Sequence, residues 1–281
     1  VSFFQSVFIL LWFRPNFAIG TGGFASGPIL FIAHYLKIKT LIQEQNSFAG
    51  ITNRALSKIV NVVAVAFDDM DRFFPKNKII LAGNPVRETL LNVENKKPEA
   101  LLHFKLNPSK KTIVILGGSL GAQKINETIA AHLPLFSKLG VQLIWQCGKL
   151  YFDQFKGYNE KENVQVYEFI QEMDLTYAAA DVLISRAGAS SISELALVGK
   201  PVLLIPSPNV ADNHQYHNAM ALSKTGGALV LLEKEIDNQF QEVLQQLLAI
   251  NKDDVKESFK KFARPNATQN IVLKIKNELK P

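Results

Sequence analysis

From Phe17 onward the chain alternates short apolar runs with stretches of helical periodicity, and this alternation constrains its fold more than any other feature. Runs such as Thr112–Leu116, with no polar face, need cover on both sides, which is the pattern of a parallel sheet between helix layers. A first series places strands at Phe17–Gly20, Thr40–Gln43, Val62–Ala66 and Ile79–Leu81. A second places them at Thr112–Leu116, Val141–Trp145, Val164–Tyr167, Val182–Ile184, Val202–Ile205 and Ala228–Leu232. Between the series, Asn92–Lys111 is rich in Asn, Lys and Pro and reads as a linker. The expected fold class is α/β, with two Rossmann-like doubly wound domains facing a cleft. Expected boundaries are 1–92 for the first domain, 93–255 for the second and 256–281 for a helical tail interrupted at Pro265.

Composition sets the class. With 281 residues, 47% hydrophobic and 20% charged, the chain can bury two cores and is not disordered. The one cysteine, Cys147, excludes an internal disulfide and a cysteine zinc site, and its place after a strand suggests a packed thiol. A net charge of +6 suits an anionic membrane surface, and no aromatic-basic motif for nucleic acid accompanies it. Val1–Phe13 is apolar but shorter than the roughly 20 residues a membrane span needs. Burial in its own domain is the expected fate, and partial insertion into a lipid surface is the alternative. A signal-peptide core is opposed by the run straight into a strand.

The densest chemistry lies in Asp181–Asn218. A strand, Val182–Ile184, leads through Arg186-Ala187-Gly188-Ala189-Ser190 into a helix ending near Val198. The first turn of a helix leaves N–H groups unpaired at the positive end of its dipole, so it suits the oxygens of a diphosphate. One turn in, Glu194 offers acceptors for both ribose hydroxyls. Ser191 and Glu194 also have the S-x-x-E spacing of a capping box, in which the glutamate serves only its own helix. Asp212-Asn213-His214-Gln215-Tyr216-His217-Asn218 then opens another helix with groups suited to sugar hydroxyls. The same histidines also fit solvated positions, and Arg186 also fits a surface ion pair. Gly117-Gly118-Ser119 follows its strand directly and offers phosphate donors, or forms a plain tight turn; it is not a G-x-G-x-x-G fingerprint.

Five segments in order carry a resemblance: Gly20-Thr21-Gly22-Gly23-Phe24-Ala25-Ser26-Gly27-Pro28, Gln43-Glu44-Gln45-Asn46, Ala82-Gly83-Asn84-Pro85-Val86-Arg87, Gly117-Gly118-Ser119-Leu120-Gly121-Ala122, and Asp181–Asn218. Together they resemble the MurG-type N-acetylglucosaminyltransferases that make lipid II for peptidoglycan. The resemblance implies a GT-B architecture and a tail crossing back to the first domain. It also implies a truncated start, since nothing before Phe17 matches the family's opening glycine-rich strand-turn-helix and its histidine. Gln43 stands where the family often has histidine, and Phe24 where tyrosine is frequent.

The implied reaction is inverting transfer of N-acetylglucosamine from UDP-N-acetylglucosamine to the C4 hydroxyl of MurNAc in undecaprenyl-linked lipid I, without cofactor or metal. It would take place at the cytoplasmic face of the bacterial membrane, on a peripheral protein. By resemblance, Arg87, Ser119 and the helix start Ala189, Ser190, Ser191, Ile192 and Ser193 stabilise the nucleotide, Glu194 holds the ribose and the Ile170 backbone reads uracil. Gln215, with His214 and Asn218, takes sugar hydroxyls. Asn46 faces the donor sugar or acceptor, and Gly22 and Gly23 offer amides to the acceptor diphosphate. With the family's histidine absent, no catalytic base is assigned. Glu44 is the one candidate among the first-domain motifs, with bracing of its own turn as the alternative. Rival classes are a UDP-sugar-binding fragment without turnover, a related transferase with another lipid acceptor such as diacylglycerol, a UDP-sugar epimerase, and a membrane-held scaffold.

Overall fold

The computed structural model describes residues 2–118, 121–260 and 262–280. It divides into two compact units: residues up to Val86 together with those from Arg264 onward, and Arg87–Ala263. The division falls at 86/87 and 263/264, where the sequence pattern placed it at 92/93 and 255/256.

The first unit holds a four-stranded parallel sheet in the order β1-β2-β3-β4, formed by β1 (Phe17–Gly20), β2 (Lys39–Glu44), β3 (Val62–Val65) and β4 (Ile79–Leu81). Helices α1 (Ser2–Phe13), α2 (Gly23–Tyr35) and α3 (Ile51–Leu56) belong to it. Leu41, Val62, Ala64 and Ala82 form a core cluster, against which Ile271 and Ile275 of the chain's last helix pack. That helix returns to the first unit because its apolar residues meet this sheet and not the second one.

The expected burial of Val1–Phe13 is corrected. Helix α1 buries only Ser6 and Leu10, while Phe4 is 83% and Trp12 77% exposed. It packs along one line on α2, where Phe3 meets Phe31 edge-on at 5.7 Å, and a helix apolar nearly all round has more greasy surface than one neighbour can cover.

The second unit carries a six-stranded parallel sheet in the order β10-β9-β8-β5-β6-β7. Its strands are β5 (Thr112–Leu116), β6 (Gln142–Gln146), β7 (Val164–Tyr167), β8 (Val182–Ser185), β9 (Val202–Leu204) and β10 (Ala228–Val230). Its helices are α4 (Lys97–His103), α5 (Gln123–Ala131), α6 (Leu133–Lys138), α7 (Phe152–Phe155), α8 (Met173–Ala179), α9 (Ala189–Val198), α10 (His214–Ser223), α11 (Ile236–Ala249) and α12 (Lys252–Lys260). The last helix, α13 (Ala267–Glu278), follows Pro265 and belongs to the first unit. Ile113, Ile115, Leu143 and Trp145 pack with Ile125, Ile129, Phe240 and Leu244 in an apolar core, so α5 and α11 cover one face.

The expected linker is also corrected. Asn92–Lys111 contains α4, and a run of 3-10 turns, Glu88–Lys96, precedes it. Pro98 lies in the first turn of α4, where a missing N–H costs nothing. Leu90, Val93, Ala100 and Phe104 are buried, and both α4 and the 3-10 run pack on α8.

Strand order places the site. β5 has β6 on one side and β8 on the other, so the chain leaves the sheet in opposite directions from neighbouring strands and opens a crevice at their carboxyl ends. Leu116 pairs with Ser185, so the turn at Gly117 and the turn at Arg186 stand side by side there.

Candidate functional site

Helix α9 begins after Gly188, and its first intrahelical bond runs from the Ile192 N–H to the Gly188 carbonyl at 2.9 Å. The amides of the first turn, through Ser191, therefore precede the hydrogen-bond ladder and face the crevice end of the dipole. The Ile192 amide is engaged in that bond and its side chain is buried. Ser193 folds its hydroxyl back on the Ala189 carbonyl at 3.1 Å. A capping box would need the helix to start at Ser191. It starts three residues earlier, so Glu194 lies in the second turn and does not reach back to the start.

Glu194 is instead held from two sides. The Tyr177 hydroxyl donates to its Oε2 at 2.9 Å, and the Arg87 Nε lies 3.9 Å from Oε1. Its side chain is 16% exposed.

Gln215 and Asn218, one turn apart on α10, grip the peptide before α9 from both ends. Gln215 Oε1 accepts from the Ala187 N–H at 3.4 Å and from the Ser207 N–H at 2.9 Å, while Asn218 Nδ2 donates to the Ala187 carbonyl at 3.3 Å. Asn218 is fully buried and supports the turn from below. Gln215 keeps its amide nitrogen as a donor. A cavity of about 600 Å³ nearby is lined by Lys124, Pro206, Ser207, Asn213, Tyr216 and Leu232. His214 lies 3.7 Å from the Asp212 carboxylate, at a helix start formed by two left-handed residues, Asp212 and Asn213. Arg186 pairs with Glu233 at 2.5 Å and donates to the Ile205 carbonyl, so it ties the carboxyl ends of β8 and β9 to the loop after β10.

Gln146, at the end of β6, went unnoticed in the sequence. Its Nε2 donates to the Gly118 carbonyl at 3.3 Å and its Oε1 accepts from the Ile170 N–H at 2.9 Å, so one side chain ties the glycine turn to the expected uracil segment. The Ile170 amide is thereby engaged. Gly121 has φ +87°, and a Cβ there would fall 2.2 Å from the Cys147 carbonyl, so the turn after β5 closes only on glycine. Ser119 lies outside the described residues. Burial pushes the Cys147 thiol up to about 11, which keeps it protonated and inert.

In the first unit, Glu44 is 3% exposed and accepts four hydrogen bonds. Oε1 takes the Asn46 N–H at 3.0 Å and Asn46 Nδ2 at 3.4 Å; Oε2 takes the Gly50 N–H at 3.1 Å and Asn53 Nδ2 at 2.8 Å. These four donors occupy about as many acceptor sites as a carboxylate has, which is the geometry of a brace for its own turn. Asn46 is shaped by that brace. Gln43 is buried and donates to Asn84 at 2.7 Å. Gly22 (φ +94°) and Gly23 (φ +72°) open α2, and Phe24 beside them is exposed.

A parallel sheet with a helix start suited to anions, a carboxylate one turn in and an amide at the head of the next helix places the chain in the α/β class. Residues 112–275 match the Glycosyltransferase family 28 C-terminal domain and residues 1–65 the N-terminal domain of the same family. A UDP-N-acetylglucosamine–N-acetylmuramyl-(pentapeptide) pyrophosphoryl-undecaprenol N-acetylglucosamine transferase from Flavobacterium psychrophilum is 53% identical over 96% of this chain and 74% of its own length. Its counterpart from Christiangramia forsetii is 51% identical over 94% of this chain and 72% of its own. Among solved structures, the Acinetobacter baumannii MurG superposes with a TM-score of 0.77 at 30% identity, covering 98% of this chain and 77% of that one. A UDP-GlcNAc 2-epimerase from Neisseria meningitidis, at 16% identity and a TM-score of 0.67 over 98% of this chain and 80% of that one, shares the fold. The chain belongs to glycosyltransferase family 28, with the GT-B-like pairing of two parallel-sheet units.

Proposed function

We propose that the chain transfers N-acetylglucosamine from UDP-N-acetylglucosamine to the MurNAc C4 hydroxyl of lipid I, giving lipid II. The observation that carries this reading is the α9 start with Glu194 one turn in, within a family whose relatives bear that activity in their names. In the reaction the bond from the sugar C1 to the diphosphate oxygen breaks, a bond from C1 to the acceptor C4 oxygen forms with inversion, and the acceptor proton leaves to a base. Negative charge grows on the departing UDP, so fixed donors around the diphosphate stabilise the transition state more than the ground state. The Ser190 and Ser191 amides and Arg87 supply that positive potential, and Ser119 belongs to the same set by resemblance. Glu194 takes the ribose diol, the Ile170 carbonyl meets uracil, and the Gln215 amide donates to the sugar, with His214 beside it. Asn46, Gly22 and Gly23 serve the acceptor side in this proposal.

The acceptor is lipid-linked, and the surface of α1 fits a peripheral encounter with anionic membrane. No described helix is long and apolar enough to cross a bilayer. Phe4, Phe8, Leu11, Trp12 and Phe13 are exposed together, followed by exposed Arg14. Burying even two or three such side chains in a headgroup layer yields several kcal/mol, at roughly 1.5–3 kcal/mol each.

Two assays test the proposal. Radiolabelled UDP-N-acetylglucosamine incubated with the chain and lipid I is expected to give lipid II, and UDP-N-acetylglucosamine is expected to bind in calorimetry. Binding without transfer to lipid I but with transfer to diacylglycerol, or interconversion to the 2-epimer, would replace this function with a rival. For the membrane surface, sedimentation with phosphatidylglycerol vesicles should carry the chain down and weaken about tenfold or more in Phe8→Ser/Trp12→Ser. Equal sedimentation of both proteins would remove α1 from that role.

A further inference from the structure

Tyr177 sits in α8, 1% exposed, with its hydroxyl 2.9 Å from Glu194 Oε2. Burial, and then the negative charge of Glu194, pushes the phenol well above its ordinary range, so the proton stays on Tyr177 and the bond has one direction. A carboxylate has about four acceptor sites. The phenol fills one and fixes the plane of the group, and Arg87 Nε lies 3.9 Å from Oε1.

The phenol is itself anchored. Lys200, just past the αL residue Gly199 that ends α9, donates through Nζ to the carbonyls of Tyr177 (2.6 Å), Ala178 (3.0 Å) and Ala180 (2.6 Å) at the end of α8. Helices α8 and α9 are thus joined at two points, by Lys200 at the carboxyl end of α9 and by Tyr177 with Glu194 in the middle. The second joint is where ligand recognition meets the scaffold. Glu194 is the acceptor for the Tyr177 hydroxyl in this helix packing.

We infer that Tyr177 is the positioning residue for ribose recognition: its hydroxyl holds Glu194 in the orientation that accepts both ribose hydroxyls, and so sets the preference for ribonucleotide over deoxyribonucleotide donors. The inference rests on the proposed contact between Glu194 and the ribose. Tyr177 touches no ligand itself. Its loss costs affinity only through the hydroxyls that Glu194 reads.

The test is calorimetric titration of UDP and 2′-deoxy-UDP into the whole chain, as wild type, Tyr177→Phe, Glu194→Gln and the double variant. Wild type should prefer UDP by about tenfold or more, because a site built around a hydroxyl rejects the analogue lacking it. Tyr177→Phe should weaken UDP about fivefold to twentyfold and leave 2′-deoxy-UDP within about twofold, so that the preference collapses. A protein merely loosened by the substitution would lose both ligands equally, and that result overturns the inference. The double variant strands no buried charge and remains measurable if Tyr177→Phe alone does not fold. Adding Tyr177→Phe to Glu194→Gln should cost less than about twofold in UDP affinity, and a further loss of about fivefold or more would count against the coupling. If Glu194→Gln keeps the ribose preference, the contact between Glu194 and ribose falls and the role of Tyr177 with it. If Glu194→Gln abolishes the preference and Tyr177→Phe keeps it, only the role of Tyr177 falls.

Discussion

Glu44 and Glu194 are both largely buried glutamates near the carboxyl end of a parallel strand, and their surroundings separate them. Glu44 takes four hydrogen bonds from Asn46, Gly50 and Asn53, all within nine residues of it, and is closed. Glu194 takes one hydroxyl from another helix and has an arginine at 3.9 Å, with its side chain 16% exposed. A carboxylate satisfied by its own turn stabilises the turn, while one oriented from behind and left unsatisfied in front is ready for a ligand's donors. Burial and residue type alone do not distinguish the two.

The sharpest break of this comparison is Glu194→Ala. Two hydroxyl bonds to a charged acceptor make it cost about 2–3 kcal/mol of UDP binding, roughly 30-fold to 150-fold in calorimetric Kd, beside a smaller loss of stability from the Tyr177 hydroxyl left without its acceptor. Glu44→Gln should do the reverse: its loss, about 2 kcal/mol from a buried charge network, appears in denaturant unfolding, while UDP affinity and turnover per folded molecule stay within about twofold. A turnover loss beyond about tenfold in that variant would support Glu44 as a base.

A third buried carboxylate sharpens the contrast from the stability side. Burial raises the Asp181 carboxyl, but hydrogen bonds from Lys252, Lys97 and the Thr112 N–H outweigh it and hold the group at about 2, below the ordinary 3.8. The folded value lies below the unfolded one, so this stabilisation is complete above about pH 4 and is lost as pH falls through 2. It amounts to roughly 2 kcal/mol. Unfolding by urea at pH 5 and pH 2.5 should show the loss in wild type and a smaller one in Asp181→Asn; equal losses would clear Asp181. Least in effect, Gln146→Leu frees the Gly118 carbonyl and the Ile170 amide and should weaken UDP about fivefold, read by the same titration, with no change in ribose preference. A collapse of that preference would place Gln146 in the Glu194 circuit.

The strands were legible because sheets covered on both faces admit only apolar runs, so Thr112–Leu116 and Val182–Ile184 reappear as β5 and β8 to within a residue. Helix α4 and the 3-10 run before it were hidden because their buried residues, such as Ala100 and Leu90, are spaced among Lys, Asn and Pro. The outer surface of α1 was ambiguous in principle: a helix apolar all round fits an interior or a lipid face equally well. Within the site, the motif named the right neighbourhood and could not say which way each residue faces. Ile192 and Asn218 belong to it and point inward. Tyr177 and Gln146 do their holding across elements distant in sequence, where spacing carries no signal.

The central claim is that UDP sits on the α9 start with its ribose on Glu194. A crystal structure of the chain with UDP tests it most directly. Diphosphate oxygens are predicted about 3 Å from the Ser190 and Ser191 amide nitrogens, with both ribose hydroxyls on the Glu194 carboxylate. UDP bound with its diphosphate away from α9, or with Glu194 touching no part of it, would contradict the account.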